Sequence, residues 1–119
     1  SIEIRSNIAV VLSNEGLSVP VLATSSSRSG VMSVIDSSYA SKLKKKGLKV
    51  IENLSLIVLY SPPEIQDTPG CITAILDAIS SEGINILEFI SCHTDTLLVV
   101  KNQDAVSVYE ILSKLVGDR

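Results

Sequence analysis

Tryptophan is absent from the 119 residues, and phenylalanine, histidine and methionine occur once each. A core built from this chain has to be aliphatic: 45% of the residues are hydrophobic but only 3% are aromatic. One histidine falls short of the ligand count of a structural zinc site, and two cysteines, Cys71 and Cys92, cannot build a disulfide framework. No apolar run is long enough to span a membrane and none reads as a cleavable signal, so no membrane partner is expected and the expected location is cytoplasmic. Positive charge is also short. Lys and Arg number 10 against 13 Asp and Glu, a formal charge of −3, which gives no general attraction to a phosphate backbone and no expectation of direct nucleic-acid binding. The basic residues that do cluster, Lys42, Lys44, Lys45, Lys46 and Lys49, read as the solvated face of a helix. The chain opens without methionine in an ordered apolar pattern, and the expectation is a piece of a longer protein.

What the chain has in quantity is Ile, Leu, Val and Ala, with a mean hydropathy of +0.39. Aliphatic strands buried on both faces suit that composition. Apolar surface in excess of one small core is commonly covered by a second copy, so a homodimer or higher oligomer is expected.

The second half is the clearer to read. Leu56–Tyr60 is a short aliphatic run stopped by Ser61-Pro62-Pro63, a strand followed by a breaker. In Asp67-Thr68-Pro69-Gly70, Thr68 can cap a helix and Pro69 suits its first position, where the missing N–H has no intrahelical task. Ile72, Ile75, Leu76 and Ile79 then form one apolar stripe, and Gly83 supplies a left-handed residue that ends the helix. Residues 84–92 read as a strand, turned through His93-Thr94-Asp95 into a second strand at 96–101. Asn102 or Asp104 caps a last helix with the stripe Val108, Ile111, Leu112 and Leu115, closed by Gly117. The order strand, helix, strand, strand, helix is the split βαβ arrangement, with both helices on one face. Its closing fourth strand is wanting, and has to come from the first half or from a partner subunit.

In the first half Ser13-Asn14-Glu15-Gly16-Leu17 mirrors Ser80-Ser81-Glu82-Gly83-Ile84, which points to a degenerate internal repeat. Ile2, Ile4, Ile8, Val10 and Leu12 lie on alternate positions and are mostly β-branched, favouring a strand over a helix. Val19–Ala23 holds Pro20 and reads as an edge strand or loop, and residues 25–30 as a solvated flexible turn. Val31–Ile35 reads as a strand, Ser37–Lys46 as a helix and Leu48–Leu54 as a further strand.

The run from Ile65 to Ile72, with Glu82-Gly83-Ile84-Asn85-Ile86-Leu87 at the next strand, resembles the ACT domain family, and in particular the paired ACT modules at the regulatory end of aspartokinases. Leu48–Tyr60 is similar to the strand that passes from one such module to the next. The resemblance implies an α+β, ferredoxin-like fold (βαββαβ), with an antiparallel sheet and helices on one face. It implies a tandem pair, with a degenerate copy at 1–55 and an ACT-like module at 56–119. It also implies a regulatory module that senses an amino acid or similar small metabolite and mediates oligomerisation, as part of a larger regulator or biosynthetic enzyme, with no catalysis and no cofactor. The ligand residues it carries over are Gln66, Asp67, Pro69, Gly70 and Cys71 on the loop, and Asn85 and Ile86 at the strand.

The chemistry of those residues fits a zwitterion. Unpaired amides at a helix start can receive a carboxylate, Gly70 permits close approach, Asp67 can pair with an ammonium, and Asn85 offers a donor and an acceptor. The same residues also fit a module that only assembles, with Asp67 as a cap and Asn85 bonding the turn. An effector domain of a DNA-binding regulator is the third reading. Against metal or nucleophile chemistry, Cys92 and His93 would point to opposite faces of a strand, and no base stands near Cys71 in sequence.

Overall fold

A computed structural model describes residues 1–60, 71–91 and 95–116 of the chain. It divides into two compact units, one of Ser1–Arg5 with Leu56–Arg119 and one of Ser6–Ser55. The strands are β1 (Ile2–Ser13), β2 (Ala23–Ser27), β3 (Gly30–Asp36), β4 (Lys49–Tyr60), β5 (Glu88–Ser91) and β6 (Asp95–Lys101). The helices are α1 (Ala40–Lys45), α2 (Cys71–Ser80) and α3 (Ala105–Val116).

In the unit that includes residues 56–116 the strands lie in the order β1-β4-β6-β5. Counting from β4, this places the fourth strand beside the first and the third beside the second, with antiparallel pairing from Glu88↔Val99 to Ser91↔Thr96. The strand wanting in the sequence is supplied by the start of β1. The Tyr60 N–H donates to the Ser1 carbonyl at 3.0 Å, and the Ser1 nitrogen donates to the Tyr60 carbonyl at 3.3 Å. Such an exchange marks an antiparallel pair. Ser1–Arg5 thus belong to the compact unit of the later residues.

Alternation places Ile57 and Leu59 of β4 and Leu98 and Val100 of β6 on one face, where Ile75 and Ile79 of α2 and Ala105, Val108 and Leu112 of α3 cover them. Ile2, Ile4 and Phe89 pack on the same cluster. The two helices thus lie on one side of the sheet, as a ferredoxin-like arrangement requires. Leu115, expected in the α3 stripe, is 44% exposed, and Ala105 takes the buried place at the other end of the helix.

In the unit of Ser6–Ser55 the order is β2-β3-β1-β4. The register runs from Ile8↔Asp36 to Ser13↔Val31 and from Ala23↔Val34 to Ser27↔Gly30. The serine run is therefore strand rather than flexible turn. Ser25, Ser26 and Ser27 pair with β3, and the hairpin turn narrows to Arg28 and Ser29. Gly30 makes this possible: at φ +133° a Cβ there would stand 2.7 Å from the Ser13 carbonyl. Asp36 accepts from the Ser38 N–H at 2.9 Å and opens the 3₁₀ turn Ser37–Tyr39 that leads into α1. Ala9, Val11, Val19, Ile35, Ala40 and Leu43 form the core of this unit. Between β1 and β2, residues 14–22 form neither helix nor strand, in keeping with Gly16, Ser18 and Pro20.

Of the stretch Leu48–Tyr60, Lys49–Tyr60 form one long strand, and β1 is its counterpart in length, at 12 residues each. Both carry one asparagine in left-handed backbone, Asn7 at φ 58° and Asn53 at φ 62°. Asparagine tolerates that conformation better than β-branched neighbours would. Ile2 and Ile4, before Asn7, pack on the core of the later residues, and Ala9 and Val11, after it, belong to the core of residues 6–55.

Candidate functional site

Of the seven residues expected to meet a ligand, Gln66, Asp67, Pro69 and Gly70 lie outside the described residues, as does the expected helix start at Pro69. Cys71 is the first residue of α2. Helix α2 ends as its sequence dictates. The Glu82 and Gly83 N–H groups donate to the carbonyls of Ile79 and Ser80 at 3.2 and 2.9 Å, and Gly83 takes φ 75°.

Beyond Gly83, residues 84–87 belong to no strand, and the strand expected from Ile84 begins only at Glu88. The register supplies the reason. Glu88 stands opposite Val99, so Asn85 would need a partner at Asn102, where β6 has already turned into the 3₁₀ stretch Asn102–Asp104. A single further bond, Leu87 N–H to the Val99 carbonyl at 2.8 Å, precedes the ladder. Within this segment Ile84 and Ile86 pack against the core cluster, whereas Asn85 between them is exposed. Two anchored isoleucines fix the backbone on either side of a side-chain amide that offers both donor and acceptor to solvent. Ile86 accordingly takes part in packing.

One polar pair has no signal in the sequence, since its members are 57 positions apart. The Tyr60 hydroxyl donates to Glu3 Oε2 at 3.1 Å. Chiefly through that bond to a carboxylate, and through the charge of Glu3, the phenol is held above its ordinary pKa of 10.0. The lysines of the basic stretch are exposed, with Leu43 buried and Leu48 half-buried between them, and Lys44 pairs with Glu52; at such exposure the pair adds little to stability. Cys92 and His93 lie outside the described residues, while Asp95 opens β6. Among the described residues no three His, Cys, Asp or Glu side chains gather as a metal site would need. No helix among them is long and apolar enough to cross a membrane.

A family model described as ACT domain matches residues 49–114. No curated protein matches the chain. Among solved structures it is similar to the regulatory subunit of aspartate kinase from Thermus thermophilus in a ligand-free form, at 11% identity, covering 96% of this chain and 95% of that one, with a TM-score of 0.75. It is also similar to aspartate kinase from Clostridium acetobutylicum, at 15% identity over 96% of this chain and 34% of that one, with a TM-score of 0.77. For E. coli aspartokinase III, solved with aspartate and ADP, identity is 16%, coverage 97% and 33%, and the TM-score 0.72. The chain thus spans about a third of the length of the two whole kinases. At these identities the likeness concerns the fold.

Proposed function

Because the chain belongs to the ACT domain family, whose members are regulatory ligand-binding modules, we propose that it senses an amino acid or similar small metabolite and couples that binding to self-association. The observation that carries this is Asn85, exposed between two core-anchored isoleucines. Gln66, Asp67, Pro69, Gly70 and Cys71 are the other proposed ligand residues, with Ile86 holding the backbone. In this reading the α-carboxylate meets amides near the start of α2, Asp67 meets the ammonium, and Asn85 reads the side chain. The assembly is a homodimer or higher oligomer, the location is the cytoplasm, and the module serves a larger regulator or enzyme without a catalytic step of its own.

The test is a thermal-shift screen against the twenty amino acids, since a ligand of the folded state raises its melting temperature by mass action. One amino acid is expected to raise it, and Asn85→Ala to shrink that rise while leaving the unliganded melting temperature in place. A flat screen would count against sensing. Sedimentation of a monomer at micromolar concentration, with and without the ligand, would remove the self-association.

A further inference from the structure

Formal charge is divided unevenly between the two units. Residues 6–55 hold six Lys and Arg against three Asp and Glu, a net +3, whereas residues 1–5 with 56–119 hold four against ten, a net −6. Five of the six cations stand within eight positions, at Lys42, Lys44, Lys45, Lys46 and Lys49, and all five are exposed. Their backbone is a fixed platform. Ala40 and Leu43 bury the inner side of α1. The turn that follows is closed by the Lys46, Gly47 and Leu48 N–H groups, which donate to the carbonyls of Leu43, Lys44 and Leu43 at 3.1, 2.9 and 3.2 Å.

The fold answers little of this charge. A helix C-terminus presents roughly half a negative charge, and Glu52 pairs with Lys44. Lys46 leans to the Ser18 hydroxyl at 3.5 Å, and among the described residues no carboxylate pairs with Lys42, Lys45, Lys46 or Lys49. Lys42 and Lys45 lie three apart on α1, where like charges repel. Beside them an open hollow of about 340 Å³ is lined by Ser41, Lys44, Lys45 and Glu52.

We propose that α1 and the turn after it dock a short acidic segment of another polypeptide, with one of its carboxylates in the hollow beside Ser41 and Lys45. A six-residue helix is about 9 Å long, so an extended segment of about four to six residues covers the lysines. Longer polyanions fit less well. The chain as a whole is −3, which gives nucleic acid no attraction beyond the patch, and Tyr39 next to α1 is half-buried, which leaves bases no aromatic platform. A bilayer lacks an anchor, since the exposed large hydrophobic residues among those described are Val21, Leu22, Tyr60, Val106 and Leu115, none of them on α1. A second copy lacks the acidic run, because no two of the 13 Asp and Glu are adjacent. Docking relieves the repulsion among the lysines and competes with Glu52 for Lys44.

The experiment is fluorescence anisotropy of a labelled peptide, Gly-Glu-Glu-Asp-Glu-Glu-Gly, titrated with the whole chain, with backbone amide shifts of the complex read by NMR. Saturable binding is expected, with the shifts gathered at residues 40–52. Lys45→Gln together with Lys49→Gln should weaken it about tenfold, without harm to folding because both side chains are exposed. Glu52→Gln should strengthen it about threefold, since Lys44 is freed and an opposing carboxylate removed. A peptide with the same five acidic residues, each separated by two glycines, should bind about fivefold more weakly, because fewer of its charges reach the patch at once. No saturation, shifts lying away from residues 40–52, affinity unchanged in the lysine double variant, or equal binding of the spaced peptide would each overturn the proposal. Tighter binding of oligothymidylate or of phosphatidylserine vesicles than of the peptide would overturn it as well, in favour of nucleic acid or of a membrane.

Discussion

Replacing both Ile2 and Ile4 by alanine should loosen residues 56–116, although residues 6–55 follow directly in the chain. Both side chains pack against the cluster of Ile57, Leu59, Leu98, Val100 and Leu112 and are only partly buried. A fully buried isoleucine cut to alanine costs about 2–5 kcal/mol; partial burial brings each to about 1–2, and the pair to about 3 kcal/mol. Against the ~5–15 kcal/mol that stabilises a typical domain, such a loss is plain to measure. Native-state hydrogen exchange is the assay, because it reports stability amide by amide. Exchange of the Val100 and Leu112 amides is expected to quicken about a hundredfold, while the Ile35 and Leu43 amides change much less. Quickening confined to residues 6–55, with Val100 and Leu112 as slow as before, would refute the assignment of Ser1–Arg5 to the later unit.

Leu112→Ala should cost about 2–5 kcal/mol in urea denaturation, whereas Leu115→Ala should cost less than about 1, because the first side chain is fully buried and the second is 44% exposed. The Tyr60 phenol should titrate above 10.0 by ultraviolet absorbance, and Glu3→Gln should bring it down towards that value. Losing the proton breaks the bond and sets one anion beside another, so whatever stability this pair gives is present below pH 10 and lost as pH rises through the folded-state pKa.

Elements governed by local pattern were legible in the sequence. Alternation in residues 2–12 specifies β1, the stripe Ile75 and Ile79 specifies the buried side of α2, and Gly83 specifies where that helix stops. Features set by a distant neighbour were not. A strand pattern states that residues will be extended but not what they will lie beside, so the partner of Ser1–Arg5 could not be read. The serines at 25–27 look like a turn by composition and become strand because β3 stands in register to receive them. Asn85 is exposed, and the strand expected to hold it begins later, because β6 runs out of residues opposite it.

The two units also divide the labour of covering a sheet differently, and that difference is written in residues 14–22. Where α2 and α3 cover the strands of one unit through stripes that repeat every three or four residues, the strands of the other rely on the six-residue α1 together with Leu17 and Val19. Val19 is 7% exposed without belonging to any helix or strand. A loop can hold such a side chain because its ends are fixed: Ser13 Oγ donates to the Glu15 carbonyl at one side, and the Leu22 N–H bonds the Val34 carbonyl at 2.8 Å at the other. Tethered ends lower the entropy that ordering the segment costs, and two apolar side chains then suffice in place of a helical face. What this leaves beside Leu43 and Lys46 is an open cleft.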